Sequence, residues 1–321
     1  MSATLRRIPH LIALTLGYSM VIDFGPLQPY FDDPDISEIM VVNGRDLWVE
    51  EFSQLRHVAV LSPSDVAMCT EQISRLSHRR IDNLSPVADA SLPDGSRACV
   101  VISPIAVGGT TIAIRKFPRR ILPLAAFGTE ECSAVIRALI HERLNVVVSG
   151  ATSSGKTTFV SSATQYFEQH ERVVCAEDTS EIRFAHPHVV RLQTRTANAE
   201  GHGEVTLQDL VRTSLRLRPD RLIVGEVRGS EAIDMLLALS SGHRGCWSTV
   251  HAVSADLTLD RLATIVLRGS PQWSMGNVSD LITSAVDAVV HVSRTPQRRR
   301  RIASIVQFVD GAPKVLYEFR D

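Results

Sequence analysis

One stretch limits the folds open to this chain more than any other: residues 145–158, NVVVSGATSSGKTT. It carries Gly150 and then Gly155-Lys156-Thr157, the G-x-x-x-x-G-K-[ST] spacing of a phosphate-binding loop. Each part answers a physical need. The β-branched run 146–148 suits a buried strand that brings the backbone to an abrupt turn. The two glycines let the chain fold tightly around an anion, with amide N–H groups converging on its oxygens. A helix starting near Gly155 adds its positive dipole end. Lys156 supplies a mobile cation for the β- and γ-phosphates, and Thr157 offers a hydroxyl to Mg²⁺. Gly150, Ala151, Thr152, Ser153, Ser154, Gly155, Lys156, Thr157 and Thr158 are therefore the expected nucleotide contacts. The helix-compatible FVSSATQYF that follows separates this match from a chance one.

A chain of 321 residues exceeds one typical small domain and predicts two. With 44% hydrophobic and 21% charged residues it is well able to bury a core. A formal net charge of −1 argues against a constitutively basic nucleic-acid binder. The five cysteines form no C-x-x-C pair, which fits a reducing cytosol and predicts neither zinc site nor disulfide framework. Near the start, Arg6-Arg7 and IPHLIALTLGYSMVI have the outline of a signal peptide. His10, Thr15, Gly17 and Ser19 interrupt that run, and no small-residue cleavage site follows. The stretch is also short for a spanning helix, so an amphipathic or core helix in a soluble chain is expected.

Residues 1–117 read as a small α/β domain. Two apolar runs about Asn43-Gly44, within 36–49, predict a hairpin, and 64–80 a helix. Strands follow over 97–105 and 110–114 around Gly108-Gly109. The cluster Arg115-Lys116, Arg119-Arg120, with Pro118 and Pro123, predicts a linker over 118–130. Residues 131–321 form the second domain, where strands and helices alternate as in a parallel sheet covered by helices. Its expected strands are 145–149, 172–177, 188–192, 221–225 and 246–250. Its expected helices are 130–142, 155–168, 206–217, 229–240, 255–267 and 277–285. A closing hairpin over 287–293 and 302–309 turns through RTPQRRRR.

Three further strand ends have the chemistry of an active site at a sheet's carboxyl edge, where ligands of open α/β sheets gather. RVVCAEDTSEI ends in Glu177, Asp178 and Glu181; read alone, these acids also fit a solvated loop. PDRLIVGEVR delivers Glu226, which can hold Mg²⁺ through water or polarise an attacking water. Gly225 stands there where an aspartate is often found, so a base from the first stretch is favoured. GHRGCWSTVHAVS delivers His251. Cations at the γ-phosphate assist phosphoryl transfer, and Arg115, Arg195, Arg212 and Arg216 are candidates that spacing does not separate.

Together these motifs resemble the traffic ATPases of the type II/IV secretion superfamily, most closely the TrbB/CpaF-like branch of conjugation and Tad/Flp pilus motors. The resemblance is carried by DDPDISEIMVVNGRDLWVE, TIAIRKF, SGATSSGKTT, EDTSEI, LVRTSLRLRPDRLIVGEVRG, SGHRGCWSTVHAVSA and LITSAVDAVVHVSR, in the family's order along nearly the whole chain. It implies a smaller PAS-like N-terminal domain, a flexible linker and a C-terminal RecA-like P-loop ATPase domain, with ATP between the domains. It also implies a homo-hexameric ring that hydrolyses Mg-ATP at the inner face of the cytoplasmic membrane. Such a motor is cytoplasmic, peripheral to that membrane, and works against inner-membrane platform proteins. By the same resemblance Glu181 is the general base, Glu226 assists at Mg²⁺ and water, and His251 senses the γ-phosphate. Arg195 is a transition-state contact, and Arg115 faces the nucleotide. Val253 departs from the family's usual asparagine, and Trp247 from its usual aliphatic residue. The tetracysteine insertion of type II secretion motors and the long N-terminal extension of many Tad-pilus members are missing, which favours a compact conjugation-type or pilus motor.

Two other classes compete. A RecA-like nucleic-acid translocating motor needs a basic stripe with stacking aromatics, yet aromatics are 5% and the one basic run, 298–301, falls in an expected turn. Direct nucleic-acid binding is therefore not expected. An ATP-gated assembly factor with little turnover has the same motifs and differs only in rate.

Overall fold

The computed structural model describes residues 23–52, 54–77, 80–92, 94–116, 120–197, 201–295, 299–309 and 311–319. The chain divides into two units, Met1–Lys116 and Phe117–Asp321. The signal-like stretch near the start lies outside the described residues, as does part of the basic turn.

In the first unit the elements run α1 (Gln28–Asp32), β1 (Ile36–Val42), β2 (Asp46–Glu51), β3 (Gln54–Val60), α2 (Pro63–Ser77), β4 (Val87–Ser91), β5 (Arg97–Val101) and β6 (Thr111–Arg115). The strands make one antiparallel sheet, in the order β3-β2-β1-β6-β5-β4. Asn43 and Gly44 both adopt positive φ, 54° and 67°, and Arg45 N–H donates to Val42 O at 3.1 Å. That is the turn an Asn-Gly pair favours, because its twist matches the strands it joins. Gly44 N–H donates to Thr110 O at 2.9 Å, and a Cβ on Gly109 would meet Asn43 O at 3.0 Å. The glycine pair thus lets the β5–β6 connection touch the hairpin tip. Val66, Cys69, Ile73 and Leu76 recur at helical spacing along α2 and pack on the inward residues Ile39, Val41, Val49, Val100 and Ile112. The strand expected over 97–105 stops at Val101, where Ala106 N–H folds back to Ile102 O.

The second unit continues with α3 (Glu130–His141), β7 (Val146–Ser149), α4 (Lys156–Ala163), β8 (Val173–Glu177), β9 (Val189–Gln193), α5 (Leu207–Leu215), β10 (Arg221–Val224), α6 (Glu231–Ser240), β11 (Trp247–Val250), α7 (Thr258–Gly269), α8 (Met275–Ala285), β12 (Ala288–Arg294), β13 (Arg300–Val309) and β14 (Ala312–Glu318). Its eight-stranded sheet has the order β14-β13-β12-β7-β11-β10-β8-β9. The six strands from β12 to β9 are parallel, and β13 and β14 add antiparallel at one edge. Every residue of β7, β8, β10 and β11 is buried, as strands covered on both faces require. Alternation sends Val146, Val148, Cys175, Ile223 and Trp247 toward α3 and α4. Val147, Ala176, Leu222, Val224 and Val250 face α5 to α8. Leu124 and Phe127, ahead of α3, are buried in the first of these cores.

The helix expected over 155–168 is shorter: α4 ends at Ala163 and tightens into a 3₁₀ turn, Thr164–Tyr166. Thr164 Oγ1 donates to Ser161 O at 2.8 Å, a local bond that competes with helix continuation. Phe167 is then extended, and its ring packs edge-on against fully buried Trp247. Strands β3, β4 and β14 were not expected. All three are sheet edges; β3 and β14 are exposed along most of their length and show no alternation, and the inward positions of β4 are alanines, which carry little apolar signal.

Candidate functional site

Strand β7 delivers Ser149 and Gly150 to the carboxyl edge of the sheet. At Gly150 φ is 153°, and a Cβ there would come within 2.2 Å of Val292 O and 2.6 Å of Ser154 Oγ. Gly155, at φ 103°, is the N-cap of α4, and no side chain caps the helix. The first amides of α4 are thus left for another acceptor. Ser154 Oγ is buried without a hydrogen-bond partner. A close-turned backbone, uncapped amides and an orphan hydroxyl fit an anion with several oxygens.

Lys156 Nζ donates to Gly150 O at 3.0 Å and Ala151 O at 3.1 Å, and lies 3.1 Å from His251 Nδ1. Burial lowers the lysine's pKa; Glu226 opposes that shift and Arg228 adds to it. The ammonium makes Nδ1 of His251 the acceptor, which assigns the ring proton to Nε2. Nε2 lies 2.8 Å from Glu226 Oε1, in contact but without hydrogen-bond alignment. Burial and the Lys156 charge push His251 below its usual pKa, against Glu226, so it is neutral at pH 7. For Glu226, burial raises the pKa. The Arg228 hydrogen bond and charge, helped by His251 and Lys156, outweigh burial and bring it down, so this carboxylate is ionised. Arg228 Nη2 donates to Glu226 Oε2 at 2.6 Å, and its Nη1 lies 4.0 Å from Asp178. One chain of polar contacts therefore joins the ends of β7, β11, β10 and β8. Beside it a cleft of about 280 Å³ is lined by Glu226, Arg228, His251 and Arg261.

The three acids at and beyond the end of β8 separate by environment. Glu177 is buried, and its Oε1 accepts the N–H groups of Glu181 (2.9 Å) and Ile182 (2.8 Å). Burial pushes its pKa up to about 7 despite those donors and Arg191 at 3.9 Å. A Cβ on Gly225 would come within 2.8 Å of Glu177 Cγ. The glycine at that strand end is thus what admits Glu177. Glu181 is partly exposed, and its charge acts on Arg228. Glu177 therefore shapes the loop that carries Glu181.

Lys156, Glu226 and His251 are brought together, with Glu181 near Arg228. Thr157 stands in the first turn of α4. Arg195 is exposed beyond edge strand β9, its backbone paired with Val205 and its Nε donating to Gly203 O at 2.5 Å; no contact among the described residues joins it to the group. Arg212 pairs with Asp234 on α6 at 2.9 Å, and Arg216 caps α5 at the surface. Arg115 ends β6 in the first unit, in register with Glu38 and Arg97. Of the residues departing from the resemblance, Val253 is 80% exposed, and Trp247 is buried among Phe159 and Phe167. Two participants were not singled out from the sequence as site residues, Arg228 and His291, and Glu177 was named only as one acid of its stretch, without a role. His291 sits on β12 beside β7, where its Nδ1 lies 2.9 Å from Ser149 Oγ. Arg228 had a signal in its place two residues after Glu226; His291 had none beyond a polar residue in an apolar strand.

The family described as "Type II/IV secretion system protein" matches residues 21–314. The chain is 32% identical over 322 residues to the type IV secretion system protein PtlH of Bordetella pertussis, across 89% of this chain and 94% of PtlH. It is 30% identical over 278 residues to the conjugal transfer protein TrbB of Rhizobium radiobacter, across 84% and 83%. Among solved structures, the ADP-bound pilus retraction motor PilT has a likeness of fold with TM-score 0.64 at 19% identity, across 86% of this chain and 81% of PilT.

Proposed function

The chain belongs to the type II/IV secretion system protein family, and from that premise we propose that it is a motor that hydrolyses ATP to power type IV secretion, conjugative transfer or Tad/Flp pilus assembly. It acts as a homo-hexamer in the cytoplasm, peripheral to the inner face of the cytoplasmic membrane, against inner-membrane platform proteins. The observation that carries this reading is the run of contacts Lys156–His251–Glu226 at the mouth of the phosphate loop.

Lys156 is held by two backbone carbonyls and a neutral imidazole, weak acceptors that a phosphate oxygen outcompetes. Its release toward the β- and γ-phosphates frees His251 to report on the terminal phosphate. Glu226, kept ionised by Arg228, and the hydroxyl of Thr157 would hold Mg²⁺, which when bound neutralises charge on the phosphates. Glu181, on the loop fixed by Glu177, takes the proton of the attacking water. Arg195 is proposed as an additional contact of the transition state.

Phosphate release from Mg-ATP by the purified protein tests the reading, with Lys156→Ala as control. The variant is expected to lose roughly two orders of magnitude in turnover, the scale of removing one transition-state donor. A Lys156→Ala protein hydrolysing at the wild-type rate would defeat the site assignment.

A further inference from the structure

Strand β12 ends at Arg294, β13 begins at Arg300, and the antiparallel register sets the two directly opposite. Cross-strand partners share one face of a sheet, and like charges so placed destabilise it. No hydrogen bond or ion pair joins either guanidinium to another described residue, and the Nε of each is buried without a partner. Burial, then the charge of Arg294, lowers the pKa of Arg300. The next residue behaves differently. Arg301 stacks 4.2 Å over the Phe319 ring and donates to Ser293 Oγ at 3.3 Å. One hairpin thus satisfies an arginine on one face and leaves two unsatisfied on the other.

Arg300 lies against the phosphate loop. A Cβ on Gly155 would come 2.6 Å from its Cδ and 3.0 Å from its Nε. Gly155 immediately precedes Lys156, so the arginine stem flanks the amides that open α4. Strand order fixes which part of a nucleotide comes near. The strands β12 and β13 lie on one side of β7, and β11, β10 and β8, which deliver His251, Glu226 and Glu177, lie on the other. A nucleotide whose terminal phosphate points at the acids must run back across β7 toward the arginine pair.

We propose that Arg294 and Arg300 clamp the α-phosphate of a bound nucleoside di- or triphosphate, an inference that rests on the nucleotide reading above. The bound anion supplies the missing acceptors and separates the two like charges.

Calorimetric titration of the whole protein with ADP and with inorganic tripolyphosphate, on wild type, Arg294→Gln, Arg300→Gln and Arg300→Lys, tests this, with ligand-free melting temperatures alongside. Each glutamine variant is expected to bind both ligands at least ~10-fold more weakly, the scale of a lost charge-assisted hydrogen bond. Arg300→Lys should recover part of the loss. Ligand-free melting should hold or rise, since a like-charge repulsion is removed. Unchanged ADP affinity in a folded Arg300→Gln protein overturns the clamp, and so does a lowered melting temperature with normal ADP affinity. Weaker ADP with unchanged tripolyphosphate moves the arginines to ribose or base and overturns the α-phosphate assignment. Wild-type protein that binds neither ligand overturns the nucleotide reading and the clamp together, an outcome separate from the others.

Discussion

Arginine lies at both ends of the second unit's sheet, fully buried at one and half-buried at the other, with opposite results. At the amino end Arg221 opens β10, fully buried, with Nε 2.5 Å from Glu171 and Nη2 donating to Ile140 O at 2.8 Å. Its guanidinium lies 4.4 Å over the Phe167 ring, and Glu171 also reaches Arg143 at 3.5 Å. At the carboxyl end Arg294 and Arg300 have no such partners among the described residues. A buried charge with its partner beside it fixes geometry; a half-buried one whose Nε is shut away from water without an acceptor is placed for a ligand. The two ends therefore divide the labour, one holding the sheet together and the other holding charge ready for phosphate.

If that division is right, substitutions of the carboxyl-end residues that would meet the nucleotide should alter chemistry and leave stability alone. The strongest case is Glu181→Gln. Removing the general base is expected to lower turnover by about 10³-fold, within the span for general base catalysis. ADP affinity and melting temperature should stay at the wild-type values. A Glu181→Gln enzyme of normal turnover would pass the base role to another group, and a destabilised one would erase the contrast between the ends.

The amino end should behave in reverse. Glu171→Ala leaves Arg221 charged, buried and unpaired, which costs about 3–5 kcal/mol in unfolding free energy. Denaturant titration reads this directly. Turnover per folded molecule should stay within about twofold of wild type. If turnover falls while stability holds, Glu171 belongs to the chemistry.

How much of this was readable beforehand follows the range of each signal. The phosphate loop was legible because its glycines and lysine are neighbours in the chain. Glu226 and His251 were legible as polar residues ending apolar strands. Spacing alone did not separate Glu177 from Glu181, which only the resemblance made the base, because what distinguishes their surroundings is a missing Cβ on Gly225, just past the neighbouring strand. Arg294 and Arg300 looked like part of a solvated basic turn. Only the pairing register shows that they face each other against Gly155. The Asn43-Gly44 hairpin was visible in its own chemistry, while edge strands β3 and β14 carried no alternation and β4 turned only two alanines inward.

Glu177 gives the division a pH dependence. Its carboxyl keeps its proton to about 7 when folded, against an ordinary value of 4.5. Between those values the folded state binds more protons than the unfolded chain, so stability is fullest below 4.5 and declines as pH rises through 7. The decline is on the order of 3 kcal/mol. Glu177→Gln keeps one oxygen for the amides of Glu181 and Ile182 and removes the titration. Unfolding measured from pH 4 to 8 should therefore lose that slope. A slope unchanged by the substitution would mean another group carries it.

The smallest effect is expected at His251, for a reason specific to its two contacts. Its Nδ1 helps to hold Lys156 and its Nε2 faces Glu226, so removing the ring takes away a competitor for the lysine and, with it, the sensor of the terminal phosphate. These consequences oppose each other in binding but not in turnover. His251→Ala should therefore leave KM for ATP nearly unchanged and lower kcat by about tenfold, or ~1.4 kcal/mol of barrier. Because the imidazole is already neutral at pH 7, the loss should not vary between pH 7 and 8. A defect that appears mainly in KM would make His251 a binding residue and leave the terminal-phosphate end of the site to Glu181 and Glu226.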